Sequence, residues 1–443
     1  MQMNKRLLFA SLVASLGGFL FGFDTAVISG AEQSVKEVFQ LEGFWHGFTI
    51  ATALIGTIYG AMLAGIPGDK FGRRNTLVVL AVFYTVSALG SALADSWFSF
   101  MLYRFLGGLG VGGSSVLGPM YISEISPVKP RGRLVAVFQF NIVFGILLAF
   151  FSNYVIDRIS ANDAWRWMLG IESIPALLFF ILLFTIPESP RWLIKMHLRE
   201  EAGKVLQLTG TANVDLTLVD IEESLNSEKL GNIEKLFSKK YLFPIMLAVL
   251  LATFNQFSGI NAIMYYAPRI FGMTGLAKDT SLLQAVAIGI TNMLFTIFAM
   301  AVIDRFGRKT LLIAGSFGMI IFQALNAITF YFQHFTGYTI LIFMIGFIAC
   351  FAFSQGAVIW VFLSEVFPNA VRSKGQALGS LTHWVWAALI TWTFPHVAES
   401  KSGGAVAFSF FTIAMILQLL FVWKILPETK GKSLEQLQKE ILY

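Results

Sequence analysis

Charge and cysteine are what this 443-residue sequence has little of: Asp, Glu, Lys and Arg together make up 13% of it, and Cys350 is the single cysteine. Soluble domains carry about twice that share of charge, so this composition excludes an ordinary globular chain. One cysteine excludes an intramolecular disulfide and every cysteine-based zinc spacing. There is no Asn-x-Ser/Thr acceptor site, which fits a bacterial membrane. No nucleophile–base pairing and no metal-ligating cluster emerges, so no enzyme, metal or cofactor is expected. What is abundant is apolar: 56% hydrophobic residues, 44 Phe, 39 Gly and a mean hydropathy of +0.70. A Phe-rich and Gly-rich apolar chain is what polytopic helical membrane proteins use for close helix packing in the bilayer. The net charge of +6 does not point to nucleic acid, because the basic residues form short clusters between apolar runs instead of one face.

Runs able to cross a hydrocarbon core of about 30 Å fall near 7–28, 46–66, 76–94, 98–121, 134–156 and 166–187. Six more fall near 243–271, 281–302, 310–332, 339–363, 376–396 and 405–426. The first holds Asp24 and lacks a cleavage site, so it reads as a retained helix. Between the two sets lies 188–240, rich in Lys and Glu, with short amphipathic stretches at 200–208 and 219–225. Twelve spans put both termini on one side. That side receives about 25 of the 32 Lys and Arg, which places the termini and the central loop in the cytoplasm.

The two halves repeat at an offset of roughly 240 residues. Gly68-Asp69-Lys70-Phe71-Gly72-Arg73-Arg74 follows the second span and Asp304-Arg305-Phe306-Gly307-Arg308-Lys309 the eighth. Ser123-Glu124 with Arg131 ends the fourth, and Ser364-Glu365 with Arg372 ends the tenth. Pro187-Glu188-Ser189-Pro190-Arg191 closes the sixth, and Pro427-Glu428-Thr429-Lys430 closes the twelfth. Six-plus-six duplication predicts an all-α membrane protein built as two pseudo-symmetric bundles, at 1–187 and 241–426, joined by a cytoplasmic loop at 188–240 and followed by a tail at 427–443. Two like bundles with a site between them suggest a carrier whose halves rock.

The seventh span is the one the chain is organised around: Phe254-Asn255-Gln256-Phe257-Ser258-Gly259-Ile260-Asn261, continuing through Tyr265, Tyr266 and Pro268. An amide in hydrocarbon without a partner costs several kcal/mol, so something polar meets these side chains. Ser258-Gly259 weakens the helix there and predicts an unwound turn. Amides with phenols suit neutral, hydroxyl-rich molecules; the alternative is that the amides glue helices together. Two charges are also buried in spans, Asp24 in the first and Arg104 in the fourth. Arg104, Gly108 and Gly112 share a face, as do Gly17, Phe21 and Asp24, and the two charges are inferred to meet. A carboxylate stays charged beside Arg⁺ and takes a proton when left in apolar surroundings, so separating the pair couples proton uptake to movement. A fixed pair that only orients helices is the competing reading.

The paired D-x-F-G-R-[RK] loops, P-E-S-P-R-W at 187–192, Q-F-S-G-I-N at 256–261 and P-E-T-K-G at 427–431 together resemble the sugar porter family of the major facilitator superfamily, over nearly the whole chain. The family contains bacterial sugar/proton symporters and facilitative glucose carriers of animals. The resemblance implies sugar contacts at Gln139, Asn255, Gln256, Asn261, Asn292 and Trp360, with Tyr265 and Tyr266 as an outer gate or else core residues. It implies a cytoplasmic latch that closes the inner side, built from Asp69, Arg73, Glu124, Arg131, Glu188 and Arg191 in one half and Asp304, Arg308, Glu365, Arg372 and Glu428 in the other. Asp24 matches the symporters, where the facilitative carriers have Asn. Departures from the pattern are Asn255 in place of Gln, His383 in place of Asn or Gln, Ala357 in place of Pro, and Ile146, which matches the glucose carriers where a xylose symporter has Gln. His383 either binds sugar, senses pH or sits satisfied in the core, and Ala357 predicts a straighter tenth span. The implied activity is proton-coupled monosaccharide symport at a bacterial inner membrane by a monomer, whose partners are a hexose or pentose, a proton and the lipid bilayer. A uniporter of the same fold is the alternative, and a sensor is disfavoured because about 17 residues follow the last span.

Overall fold

A computed structural model describes residues 4–160, 163–230, 235–335, 338–368, 371–400, 402–430 and 437, and among them no strand occurs. Eleven segments are long and apolar enough to cross a membrane. The twelfth expected span is helix α18 (Arg372–Ala398), which opens on Arg372 and Lys374 and carries His383 and His396.

The chain divides into two compact units. The first comprises Met1–Asp24, Ile55–Ala149 and Arg166–Asn232. It takes the N-terminal part of α1 (Lys5–Val38), the C-terminal part of α2 (Gly43–Leu63), α3 (Gly65–Phe71), α4 (Arg73–Leu93), α5 (Trp97–Ile125), most of α6 (Val128–Ile159) and of α7 (Ala164–Gly170), and α8 (Ser173–Leu183). Glycine sets the spacing where α5 meets α2: a Cβ on Gly112 would lie 2.1 Å from the Thr57 carbonyl, so only glycine lets these backbones touch. The loop as far as 232 belongs here as well and forms α9 (Pro190–Lys195), α10 (Arg199–Leu208) and α11 (Val214–Leu230). The expected amphipathic stretches lie on the last two. Ala202, Val205 and Leu206 of α10 are buried with Leu193, Ile194 and Leu218, and Glu200 and Glu201 sit in its first turn, where the helix dipole favours acids.

The second unit comprises Thr25–Leu54, Phe150–Trp165 and Ile233–Tyr443. It contains α12 (Leu242–Phe257), α13 (Ile260–Gly272), α14 (Lys278–Phe306), α15 (Arg308–Phe332), α16 (Thr339–Phe353), α17 (Gln355–Glu365), α18 and α19 (Gly403–Lys424), together with the C-terminal ends of α1 and α6 and the N-terminal part of α2. Leu247, Leu251, Leu311, Leu312, Val358, Phe362 and Val422 form part of its apolar core.

Two spans in this unit are broken. Between α12 and α13 Gly259 takes φ +84°, a left-handed conformation that glycine alone adopts without strain, at the turn Ser258-Gly259 predicted from sequence. The loosened turn is not left unsatisfied: Gln323 Nε2 donates to the Ser258 carbonyl at 2.7 Å. The tenth span corrects an expectation. Ala357 lies inside regular helix as expected of a non-proline, yet the span is broken three residues earlier at Ser354, whose φ of −117° and ψ of −86° separate α16 from α17.

Candidate functional site

In the first unit, the Arg104 guanidinium donates to both Asp24 carboxylate oxygens, at 2.6 and 3.2 Å, with both residues almost fully buried. A two-point pair of this kind is stronger and more directional than a single contact. Glu172, at the junction between α7 and α8, is a third buried ionisable side chain in this unit. Sequence reasoning missed it, although an acid inside the apolar run 166–187 was the available signal. Around the pair, the Tyr84 hydroxyl and Ser114 Oγ bond at 2.8 Å.

The second unit gathers polar side chains beside the broken seventh span. Asn261 Nδ2 donates to Gln256 Oε1 at 2.6 Å, and Gln256 Nε2 donates to Asn255 Oδ1 at 3.1 Å. The same Gln256 nitrogen lies 3.1 Å from the His383 ring Nε2, where a neutral imidazole can accept. His383 packs at 4.9 Å between ring centroids against Trp360, whose side chain is partly exposed. Burial lines up with this order: Asn255, Gln256 and His383 are buried, while Asn261 is half-buried at the open end. Asn255 Nδ2 donates at 3.0 Å to Gln355, a residue the sequence reading did not single out. Of the other predicted contacts, Asn292 is buried on α14 and joins none of these bonds, and Gln139 is half-buried on α6 in the first unit. Tyr265 and Tyr266 are buried; Tyr266 donates its hydroxyl to the Thr391 carbonyl at 2.9 Å and stacks on Phe394. A flat indole, an imidazole and several amides on one side can hold a polyol by its C–H face and its hydroxyls together.

The predicted latch residues form the same constellation twice, once per unit. In the first, Gly72 at φ +98° turns the chain into α4, and Glu188 Oε1 accepts from the backbone N–H groups of Arg73, Arg74 and Ser189 at 3.0, 3.1 and 2.8 Å. A carboxylate is thereby held on the positive end of the helix. Arg73 pairs with Glu124 at 3.0 Å and with Asp69 at 2.8 Å, and Ser189 Oγ donates to Glu124. In the second, Gly307 at φ +94° precedes α15, and Glu428 accepts from the N–H groups of Arg308, Lys309 and Thr429, each at 3.0 Å. Arg308 pairs with Glu365 at 2.9 Å, and Thr429 Oγ1 donates to the same acid at 2.6 Å. Ser189 and Thr429 are thus members that sequence reasoning quoted without assigning. Arg131 donates to the Ser126 carbonyl and Arg372 to the Phe367 carbonyl, which ties each to its own loop; Arg191 is half-buried on α9. The side chain of Asp304 lies outside the described residues. Burial works to raise the Asp69 pKa, but the Lys195 hydrogen bond and the charges of Arg73 and Lys195 outweigh it and hold the carboxyl below its ordinary range.

A further cluster that the sequence did not announce lies in the second unit, where the C-terminal end of α1 and the N-terminal end of α2 meet α13 and the end of α18. His46 Nε2 lies 2.9 Å from buried Glu32, Arg269 stands 3.8 Å from both Glu32 and Glu399, and Lys36 pairs with Glu399 at 2.5 Å. Burial opposes ionisation of Glu399, and the Lys36 bond with the Arg269 and His46 charges prevails, so its pKa is lowered.

Compared with known proteins, the chain matches the family model described as "Sugar (and other) transporter" over residues 10–441. It belongs to this sugar transporter family. The transporter is 40% identical to the D-xylose-proton symporter of Escherichia coli, across 99% of this chain and 96% of that protein. It is 37% identical to the arabinose-proton symporter of Bacillus subtilis, across 97% and 94%. Its structure superposes on an inward open conformation of the E. coli xylose transporter XylE with a TM-score of 0.87 at 39% identity, covering 97% of this chain and 99% of that one. The architecture is therefore the twelve-helix major facilitator fold, and the protein is a multi-pass membrane transporter, not an enzyme.

Proposed function

We propose that this transporter carries a monosaccharide, a hexose or pentose, into the cell together with a proton, by alternating access between two bundles at 1–187 and 241–426. The observation that carries the reading is the buried two-point pair of Arg104 with Asp24, because a charged pair away from water is costly unless it is used. While paired, Asp24 stays ionised; a movement that draws Arg104 away leaves a carboxylate in apolar surroundings, and the proton follows. Gln139, Asn255, Gln256, Asn261, Asn292, Trp360 and His383 supply the sugar contacts, with Tyr265 and Tyr266 gating the outer side. The names of the curated relatives, symporters for xylose and arabinose, support the substrate class and the coupled ion.

The distribution of Lys and Arg supports cytoplasmic termini and a cytoplasmic 188–240 loop and 427–443 tail, and the protein acts as a monomer in a bacterial inner membrane. The twin constellations around Glu188 and Glu428 serve as cytoplasmic latches. The Arg73–Glu124 and Arg308–Glu365 pairs are largely buried and share further hydrogen bonds, so the latch acts as a network and not through one bond. The test is uptake of D-xylose, L-arabinose, D-glucose and D-galactose by proteoliposomes, with and without an imposed inward proton gradient. At least one of the four accumulates against its own gradient when protons flow inward; equilibration of all four at the same rate with and without that gradient would leave a uniporter.

A further inference from the structure

We infer that Gln355 and Gln418, fully buried and outside the expected sugar contacts, are positioning residues that set which way the amides of the sugar site face; the inference rests on the reading of that site given above. Beyond Asn255 the bonded chain continues through three helices. Gln355, the first residue of α17 after the Ser354 break, accepts from Asn255 Nδ2 at 3.0 Å and donates its own Nε2 to Gln418 Oε1 on α19. Gln418 Nε2 donates to Ser316 Oγ on α15 at 2.9 Å, and Ser316 Oγ donates to the Leu312 carbonyl at 2.7 Å. Gln355, Gln418 and Ser316 are all at 0% exposure.

The far end determines the direction of the whole chain. A backbone carbonyl only accepts, so Ser316 must spend its single proton on Leu312 and receive Gln418 through its oxygen. Gln418 then presents its carbonyl to Gln355, Gln355 its carbonyl to Asn255, Asn255 its carbonyl to Gln256, and Gln256 its carbonyl to Asn261. No amide in this run can turn over without setting donor against donor or acceptor against acceptor at both neighbours. The orientation of half-buried Asn261, at the open end, is thereby fixed from α15, five bonds away. Buried away from water, each such mismatch is expensive. Replacing Gln355 by leucine removes the side-chain acceptor of Asn255 Nδ2 and leaves it only the longer bond to the residue-355 main-chain carbonyl at 3.5 Å, so the Asn255, Gln256 and Asn261 amides are held less firmly and the pattern offered to the sugar hydroxyls is loosened.

The experiment measures equilibrium binding of D-xylose, L-arabinose, D-glucose and D-galactose to the purified full-length protein, its initial uptake rates and its thermal unfolding. The proteins compared are wild type, Gln355→Leu, Gln418→Leu and the double variant. Each single change is expected to raise the Kd of the best-bound sugar and the KM for its uptake about tenfold, with the maximal rate held within about twofold. The double variant is expected to be no worse than the weaker single, because a chain cut once gains nothing from a second cut. Losses that multiply in the double variant would overturn the inference. So would Kd values within twofold of wild type in both singles alongside lowered melting temperatures, because the chain would then be packing alone. Ser316→Ala, at the far end, gives the same reading without a large change in volume: weaker binding supports the chain and unchanged binding overturns it. A wild-type protein that binds none of the four sugars would instead sink the sugar reading, and this inference with it.

Discussion

Gln256 accepts from Asn261, donates to Asn255 and faces the His383 ring, all among buried or half-buried groups. Gln256→Ala leaves each of those three short of a partner, so the expected loss is about 1–3 kcal/mol of sugar binding. Isothermal titration of the best-bound sugar checks it, and unchanged affinity would remove this amide from the site. Asn255, Gln256 and Asn261 were legible in the sequence because three amides stand together in an apolar run beside a Ser-Gly pair. Gln355 and Gln418 were not, since a single amide in its own span has the look of helix glue, and only the folded chain shows where its bonds lead. Arg104 and Asp24 were legible for the opposite reason: a full charge at that depth needs a partner wherever it lies. Asn292 joins none of the bonds among the site's amides, and the proposed sugar contacts of Asn292 and Gln139 rest on family resemblance.

Among elements, the broken seventh span positions the amides, and Gly259 permits the break. A Cβ at this position would lie 2.5 Å from the Phe411 ring and force a side chain into φ +84°. Gly259→Ala is therefore expected to destabilise the protein by about 1–2 kcal/mol from backbone strain alone, before any shift of Phe411. A lowered melting temperature with weakened sugar binding is the expected outcome; a protein melting and binding as wild type would mean the turn relaxes without cost. This break was readable because serine and glycine are poor helix formers in a span that also needs polar groups. The Ser354 break was not readable, because attention falls on the proline missing at 357 while the bend is made by backbone geometry three residues earlier. The amphipathic helices after the sixth span were visible from apolar spacing, whereas their mutual packing through Leu193, Val205 and Leu218 needed the structure.

For the whole molecule, the internal repeat was the strongest signal in the sequence, and it reappears in the matched cradles of Glu188 and Glu428. The sequence could not show that the C-terminal ends of α1 and α6 and the N-terminal part of α2 cluster with helices of the second unit, where Lys36, Glu32 and His46 meet Arg269 and Glu399. No motif marks those five residues, which are far apart in the chain and are brought together only by folding. In the proposed mechanism, coupling is the property of the whole carrier that depends on one buried carboxylate. The direct test compares wild type with Asp24→Asn in proteoliposomes, measuring sugar accumulation driven by an imposed pH gradient and, separately, sugar counterflow with no gradient. The substitution keeps the shape of residue 24 and removes its ionisable proton, so uphill accumulation is expected to disappear while counterflow persists. Accumulation by Asp24→Asn at the wild-type level would contradict the account.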